Sequence, residues 1–271
     1  MAKKNYQHTR TAPASADGGW IYGRHAVRAA LANPARQLRR VLALQENAEE
    51  VRGWLKSAQA GNADPGQLEV LAKPALDALL PRAAVHQGVA LSTEPLDTPD
   101  IDDLIDGLPE PTGTERQIVL LLDQITDPQN IGAILRSAAA FGVRAVVMPD
   151  HGTPPVTGSL AKAASGAVEH VALIRVVNLS RAIERLQAAG FWCVGLDSGA
   201  EQNLPDLAAA SLAPPGRVVL VLGAEDTGLR RLTRAHCDFV AKLPTKGAIA
   251  SLNVSNAAAV ALYELARNNP S

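Results

Sequence analysis

Short apolar runs alternate with longer amphipathic segments along most of the chain. The apolar runs include residues 40–44 (RVLAL), 118–122 (IVLLL), 145–148 (AVVM) and 218–222 (VVLVL). Between several of these runs, apolar residues recur every three or four positions, as they do on the buried face of a helix. A run without polar positions is typical of a strand covered on both faces of a parallel sheet. The pattern therefore predicts an α/β fold with a mostly parallel sheet, whose ligands bind beyond the carboxyl ends of the strands.

The same pattern divides the chain into two α/β units. Residues 19–93 form a small first unit, and residues 117–271 form the second. Between them, residues 94–116 contain four prolines and a run of acids, so we predict an acidic, Pro-rich linker with one helical turn near 101–108. Residues 1–18 are rich in Gly, Ser, Ala and Pro and are predicted to be a flexible basic arm.

Composition excludes several classes of protein. With 47% hydrophobic and 20% charged residues, the chain resembles a soluble globular protein, and no apolar run is long enough to span a membrane. The N-terminus has lysines but no apolar segment behind them, so we expect no secretory signal and a cytoplasmic location. The six histidines and two cysteines show no metal-ligand spacing, so we expect no metal site. Cys193 and Cys237 lie among apolar neighbours and are expected to be reduced core residues.

Charge is unevenly distributed, although the net charge is only −1. Residues 1–40 carry eight Lys or Arg residues and one acid, whereas residues 94–115 carry eight acids and no base. This asymmetry fits a basic surface for nucleic acid at one end of the protein. It fits a solvated arm followed by an acidic linker equally well, so charge alone leaves both interpretations open.

The first of three polar loops that follow predicted strands spans residues 123–130. It leads into a helix at Asn130, which is expected to be the N-cap because its side chain can accept a hydrogen bond from a free backbone N–H group. Arg136 lies six residues further on, in the otherwise apolar and small-residue run IGAILRSAAAF. An arginine in such a run must extend to solvent, pair with an acid or face a cleft, and the last of these makes Arg136 a site candidate.

The second polar loop is residues 223–228, GAEDTG, after the strand VVLVL. Its glycines allow the backbone to approach a ligand, and Glu225 places a carboxylate at the end of a strand. The spacing matches neither the dinucleotide nor the P-loop fingerprint. Two acids would also repel a phosphate, so the loop favours a neutral or cationic ligand.

The third polar loop runs from residue 243 to the start of the last helix. Four polar residues cluster there, and they are Ser251, Asn253, Ser255 and Asn256. One residue is enough to cap a helix, so the surplus suggests a ligand site as well. The three loops together contain no Ser-His-Asp or Cys-His set, which argues against hydrolysis and redox chemistry. They fit a group transfer in which alignment of the reactants is the main requirement.

Three motifs in these loops resemble those of a known family. Residues 130–136 (NIGAILR), 223–228 (GAEDTG) and 251–256 (SLNVSN) are similar, in this order, to the motifs of the SpoU (TrmH-like) branch of the SPOUT RNA methyltransferases. The likeness extends from Ile118 to the end of the chain. The segment 21–31 (IYGRHAVRAAL) and the small unit after it resemble the ribosomal-protein-like substrate-binding domain of enzymes that methylate a guanosine ribose in large-subunit rRNA.

The resemblance implies an enzyme that methylates a ribose 2′-hydroxyl in RNA with S-adenosylmethionine, and a guanosine of large-subunit (23S-type) rRNA is the expected target. It also implies a deep trefoil knot in the second unit, with the last helix passed through a loop. Knots are rare exceptions to the usual threading of chains, so the hydrophobic pattern does not predict one. The resemblance further implies a homodimer that packs through the knotted domains and shares its active site between subunits.

Site residues follow from the same resemblance, motif by motif. The residues expected at the ribose and in the loops that hold it are Asn130, Arg136, Glu225, Ser251 and Asn253. The residues expected to contact the cofactor through their backbone are Gly223, Leu243 and Leu252. Arg136 is placed at the ribose hydroxyl, but a guanidinium stays protonated, so it is expected to orient the hydroxyl or a phosphate rather than act as a simple base.

Two alternatives remain open. The motifs are shared with tRNA ribose 2′-O-methyltransferases, although a separate recognition unit favours rRNA. The chain could instead be a non-catalytic RNA-binding or ribosome-assembly protein that keeps the fold, although the presence of every motif residue counts against this. A nucleotide-binding oxidoreductase lacks support because no glycine fingerprint follows the first strand of the second unit.

Overall fold

Two β-sheets organise the chain in the computed structural model. The predicted basic arm, residues 1–18, lies outside the part of the chain that the structure describes. The described residues are 19–58, 68–111, 115–212, 216–247 and 251–267.

In its described residues, the first unit is a four-stranded sheet with three α-helices. Its strand order is β1-β4-β2-β3, in which β4 pairs antiparallel with β1 and β2, and β2 pairs parallel with β3. The elements are β1 (Trp20–Tyr22), α1 (Arg24–Ala32), β2 (Leu38–Leu44), α2 (Ala48–Ser57), β3 (Leu68–Leu71), α3 (Lys73–Leu79) and β4 (Val89–Thr93). Helix α1 buries the spaced residues Ala26, Val27, Ala30 and Leu31, as its sequence pattern predicts.

The second unit confirms the predicted parallel sheet. Seven strands lie in the order β7-β6-β5-β10-β8-β11-β9, and every neighbouring pair is parallel. The strands are β5 (Arg116–Leu122), β6 (Ala145–Pro149), β7 (Ala172–Val176), β8 (Phe191–Leu196), β9 (Gln202–Asn203), β10 (Gly216–Leu222) and β11 (Phe239–Lys242). All seven residues of β5 are buried, which explains its uninterrupted apolar run.

Helices cover the second sheet, and one more helix lies in the predicted linker. They are α4 (Ile101–Asp106), α5 (Pro128–Ala140), α6 (Gly158–Ala163), α7 (Leu179–Ala188), α8 (Leu204–Ala210), α9 (Arg231–His236) and α10 (Val254–Ala266). The predicted helical turn near 101–108 corresponds to α4, whose Ile101 packs in the same apolar cluster as α7. The elements β9, α8 and α9 were not predicted, because they span only two, seven and six residues and lack a clear period.

The last helix returns to the middle of the sheet. Helix α10 packs against α5 and α8 and buries Ala258, Ala261, Leu262 and Leu265. Arg116, at the start of β5, is 3% exposed and donates hydrogen bonds to the carbonyl oxygens of Leu212 and of Leu265, the latter near the end of α10. Burial lowers the pKa of the Arg116 guanidinium. These bonds fix the C-terminal end of α10 beside the start of β5.

None of the helices in the described part of the chain has both the length and the apolar character required to cross a membrane.

Candidate active site

The three polar loops meet at one edge of the second sheet. The first follows β5, the second follows β10 and the third follows β11. Strands β5, β10, β8 and β11 are consecutive neighbours in the parallel sheet, so their carboxyl ends lie along the same edge. This is the position at which ligands bind in open α/β sheets.

Hydrogen bonds join the three loops through Asn130, Glu225 and Asn253. Glu225 Oε1 accepts from Asn130 Nδ2 at 3.1 Å, from Asn253 Nδ2, and from the backbone N–H of Val254 at 3.2 Å. Asn253 Nδ2 also donates to Asn130 Oδ1 at 3.1 Å. The carboxylate therefore lies at the N-terminus of α10, where the helix dipole stabilises negative charge. One residue from each motif contributes to this network.

Helix capping accounts for part of the third loop. Asn253 is the N-cap of α10, and its Oδ1 accepts from the Ser255 backbone at 3.0 Å and from Ser255 Oγ at 2.6 Å. Ser251 and Leu252 precede the cap and are exposed. The cluster is thus a helix cap in part, and the ligand site that its surplus of polar residues predicts stays a prediction.

The predicted N-cap role of Asn130 is wrong. Helix α5 begins two residues earlier, at Pro128, and Asp127 is its N-cap, accepting from the Gln129 backbone N–H at 3.0 Å. Proline suits the first position of a helix because it has no N–H group to satisfy. Asn130 therefore lies in the first turn, where its side-chain amide bonds Glu225 instead.

A cavity of about 320 Å³ opens between the second and third loops and residues 196–198, which end and follow β8. Gly223, Leu243 and Leu252, the three predicted cofactor contacts, all line it. Glu225 and Ser251 line it as well, so five of the eight predicted site residues border one space. The volume falls within the usual range for small-molecule sites.

Gly223 is required by a close approach within its own loop. Ala224 and Gly228 pair through two backbone hydrogen bonds, at 3.2 and 2.9 Å, which fold residues 223–228 back on themselves. A Cβ atom on Gly223 would overlap the backbone of Gly228. The loop can thus take this shape, with its backbone facing the cavity, only with glycine at position 223.

Asp123 and Arg230 form an ion pair that sequence reasoning missed. Asp123 is fully buried directly after β5, and its carboxylate accepts from Arg230 Nε at 2.6 Å and from the Arg230 backbone N–H at 3.0 Å. The pair joins the first loop to the end of the second. An aspartate that directly follows an all-apolar strand was the available signal, since a buried carboxylate needs a partner.

We expect Asp123→Asn to lower the free energy of unfolding by about 2 kcal/mol, because it replaces a buried, charge-assisted bond with a neutral one while Arg230 remains half-exposed. Urea denaturation measures this change. The matched control is Asp127→Asn, which keeps a capping side chain in the same loop and should change stability little. Equal effects of the two substitutions would contradict a special role for the buried pair.

Arg136 stands apart from the network and the cavity lining. It lies two turns into α5 and is exposed to solvent. Among the residues that the structure describes, Arg136 shares no hydrogen bond or ion pair with Asn130, Glu225 or Asn253. The structure of one chain thus brings together Asn130, Glu225 and Asn253 but leaves Arg136 on the outer surface of its helix.

The two cysteines are free, as predicted. Their sulfur atoms are 3.9 Å apart, and Cys193 is buried while Cys237 is half-buried. The hydrogen bond with Cys237 and burial raise the pKa of the Cys193 thiol, so it remains protonated. Within the described ranges, no group of three or more His, Cys, Asp or Glu side chains is arranged to hold a metal ion.

Both units of the chain match models of known protein families. The model of the SpoU rRNA Methylase family matches residues 117–263. The family described as RNA 2′-O ribose methyltransferase substrate binding matches residues 20–99.

Two relatives that are similar over nearly the whole chain carry the same name. The 23S rRNA (guanosine-2′-O-)-methyltransferase RlmB of Pseudomonas putida is 39% identical, and the match covers 91% of this chain and 95% of that protein. RlmB of Escherichia coli is 37% identical, with 91% and 97% covered.

Solved structures show the same fold. The SpoU methyltransferase AviRb from Streptomyces viridochromogenes superimposes with a TM-score of 0.71 at 23% identity, over 92% of this chain and 88% of that one. The AdoMet-bound rRNA methyltransferase from Sinorhizobium meliloti gives 0.71 at 23% identity, over 93% and 88%. The resemblance inferred from the three motifs is therefore confirmed, and the chain belongs to the SpoU rRNA methylase family.

Proposed function

We propose that this protein transfers a methyl group from S-adenosylmethionine to a ribose 2′-hydroxyl in RNA, and that its target is a guanosine of large-subunit (23S-type) rRNA. The observation that carries the proposal is the network in which Glu225 joins Asn130 and Asn253 beside the cavity. The names of the relatives from Pseudomonas putida and Escherichia coli support the choice of rRNA and of guanosine.

The residues around the cavity fit S-adenosylmethionine. Three carboxylate residues, Asp197, Glu225 and Asp226, lie in its lining, and they favour a positively charged ligand over a phosphate. Gly223 lets the backbone come close, while Leu243 and Leu252 offer apolar contact and backbone polar groups. When bound there, the cofactor supplies a methyl group carried on a positively charged sulfur.

Each of the remaining site residues has a role in alignment. Methyl transfer requires the ribose 2′-oxygen to approach the methyl carbon in line, so orientation provides much of the rate enhancement. Glu225 bonds both Asn130 and the start of α10, and so it fixes their positions relative to each other. Asn253 connects Asn130 with Glu225. Ser251 lies exposed at the cavity, where its hydroxyl can bond the ribose. The Arg136 guanidinium can bind the neighbouring phosphate and stabilise negative charge on the 2′-oxygen.

We propose that Arg136 reaches the ribose in a homodimer whose two subunits share each active site. Arg136 is exposed on α5, and α10 beside it exposes Val260 and Tyr263, at 47% and 58%. Exposed apolar side chains on one packed pair of helices are typical of an interaction surface. Packing of a second subunit there would bury them and bring each Arg136 to the partner's cavity.

We also propose a deep trefoil knot in the second unit, around the loops that follow β10 and β11. The chain leaves β11 near one edge of the sheet and returns in α10 to the centre, where α10 packs on α5. This return path supports the knot that the family resemblance implies. A knotted third loop would keep Leu243 and Leu252 together in the lining of the cavity, where they would hold the cofactor.

The first unit, residues 19–93, is proposed to recognise the RNA, with residues 94–116 as the linker and 117–271 as the methyltransferase domain. The family match of residues 20–99 to a substrate-binding domain supports this division. Arg24, Arg28 and Arg39 are exposed there and can contact phosphates, although Arg24 and Arg39 must first exchange their ion pairs with Glu50 and Glu94. The expected compartment is the cytoplasm, as for an enzyme that acts on ribosomal RNA.

Mapping of 2′-O-methylated nucleotides tests the function. Cells with and without the gene are compared at every ribose of rRNA and tRNA, and we expect one guanosine of the large-subunit rRNA to lose its methyl group. Loss at a tRNA position instead would identify the protein as a tRNA methyltransferase. If no position changed and purified protein transferred no methyl group to either RNA, the non-catalytic alternative would replace the proposal.

A further inference from the structure

We infer that Glu169 clamps the first unit onto the second and thereby holds the bound RNA in register with the active site. This Glu169 clamp consists of Glu169, Arg36 and Asn33. Within it, Glu169 acts as a positioning residue rather than a catalytic one. The inference rests on the proposed function, because it concerns how recognition and methyl transfer are coupled.

The clamp is a multidentate ion pair between residues far apart in the chain. Arg36 Nε donates to Glu169 Oε2 at 3.0 Å, and Arg36 Nη2 donates to Glu169 Oε1 at 2.8 Å. Asn33 Nδ2 adds a third donor, to Glu169 Oε2 at 2.7 Å. Such a fork defines both the distance and the relative orientation of the two groups, which a single contact does not.

Burial distinguishes this pair from the protein's surface ion pairs. The side chains of Arg36 and Glu169 are only 4% and 3% exposed. A charge buried this deeply is strongly destabilising when its partner is removed, so loss of the Glu169 carboxylate would leave the Arg36 cation buried without a counter-charge. The remaining Arg36 nitrogen, Nη1, donates to the Glu94 carbonyl oxygen at 3.1 Å and so includes the start of the linker in the clamp.

Close backbone packing surrounds the clamp. A Cβ atom on Gly158, at the start of α6, would lie 2.6 Å from the Trp20 carbonyl oxygen in β1. A Cβ atom on Gly166 would lie 2.5 Å from Ala29 Cβ in α1. Buried apolar side chains of both units also form one continuous cluster. Interdomain contacts are usually looser and more polar than this, and relative motion of domains is the usual expectation.

The linker is also held against the second unit. Asp100 caps α4, and Ile101, Leu104 and Ile105 pack with the apolar cluster beneath α7. Arg185 of α7 pairs with Asp102 of α4. The connection between the units therefore does not act as a free tether, and the clamp determines how far the RNA-binding surface lies from the cavity.

The test compares Glu169→Gln with the matched control Glu69→Gln. Glu69 forms a similar forked pair with Arg40, at 2.9 and 2.7 Å, but both residues belong to the first unit and are partly exposed. For Glu169→Gln we expect kcat on an rRNA fragment to fall by about tenfold to a hundredfold, as for other misalignments of reactants. The KM for RNA and the Kd for S-adenosylmethionine should stay near those of the unaltered protein. Glu69→Gln should leave kcat unchanged.

Small-angle X-ray scattering supplies a readout that does not depend on activity. The unaltered protein should scatter as one rigid body, and Glu169→Gln should increase its radius of gyration. Arg36→Lys keeps the charge but loses the fork, so it provides a milder second variant if Glu169→Gln fails to fold. It should lower kcat in the same direction.

Three results would overturn the clamp. The first is that the unaltered protein scatters as two loosely connected bodies. The second is that kcat is unchanged in a Glu169→Gln variant whose units have separated. The third is that kcat falls as much in Glu69→Gln as in Glu169→Gln. If the unaltered protein transferred no methyl group, the proposed function would fail instead, while scattering would still decide whether the units are clamped.

Discussion

Arg136→Ala is expected to reduce kcat for methyl transfer by about a thousandfold, while RNA binding remains measurable. Removal of one group that stabilises charge in a transition state costs on the order of a hundredfold to a thousandfold in kcat. Arg136 is exposed and has no described bond to Glu225 or Asn253, so its loss should not disturb the fold. The affinity for RNA is set mainly by many phosphate contacts, of which one is removed.

Transfer of a radioactive methyl group to an rRNA fragment measures this loss, and filter binding measures RNA affinity. Arg144→Ala is the matched control, because Arg144 is a partly exposed arginine of the same domain that pairs with Glu115. The control should retain full activity. Arg136→Lys should recover only part of the rate, because an ammonium lacks the planar fork of a guanidinium. Full activity of Arg136→Ala would contradict the assignment.

The parts of the fold that local pattern determines were predictable. Strand β5 is buried on both faces, so its apolar run identified it without knowledge of its neighbours. The polar residues of the three loops could be placed at one edge of the sheet, because carboxyl ends of parallel strands meet there. Which of those residues touch each other did not follow from spacing, and the family motifs provided the grouping of Asn130, Glu225 and Asn253.

Interactions between distant segments were not predictable. Asp123 and Arg230 are 107 positions apart, and Arg36 and Glu169 are 133 apart. The local sequence around any of these four residues does not indicate its partner. Periodic patterns predict helices and strands, but they carry no information about which distant side chains meet. The N-cap of α5 was misplaced for a different reason, since two polar residues, Asp127 and Asn130, both suit a cap and the proline between them decides the choice.

Glu225→Ala and Glu225→Gln are expected to differ sharply, because the network depends on one acceptor atom. Glu225 Oε1 alone accepts from Asn130, Asn253 and the Val254 backbone. Alanine leaves these three donors without that partner and separates the motifs, so kcat/KM should fall by about a hundredfold or more, as expected when charge-assisted bonds are lost. Glutamine keeps an oxygen in the same place and should lose only about tenfold, because neutral acceptors are roughly half as strong.

Asp226→Asn distinguishes loss of the hydrogen bonds to Glu225 from loss of negative charge in the cavity. Asp226 is the next residue, lines the same cavity and is exposed, so the substitution removes the same charge as Glu225→Gln but leaves the three bonds in place. Methyl-transfer kinetics and calorimetry with S-adenosylmethionine are measured on all three variants. We expect Asp226→Asn to weaken cofactor binding slightly and to leave kcat unchanged.

Equal losses in Asp226→Asn and Glu225→Ala would mean that the carboxylates act by attracting the cofactor. A loss confined to Glu225 would mean that its main role is to hold the first turn of α5 against the start of α10.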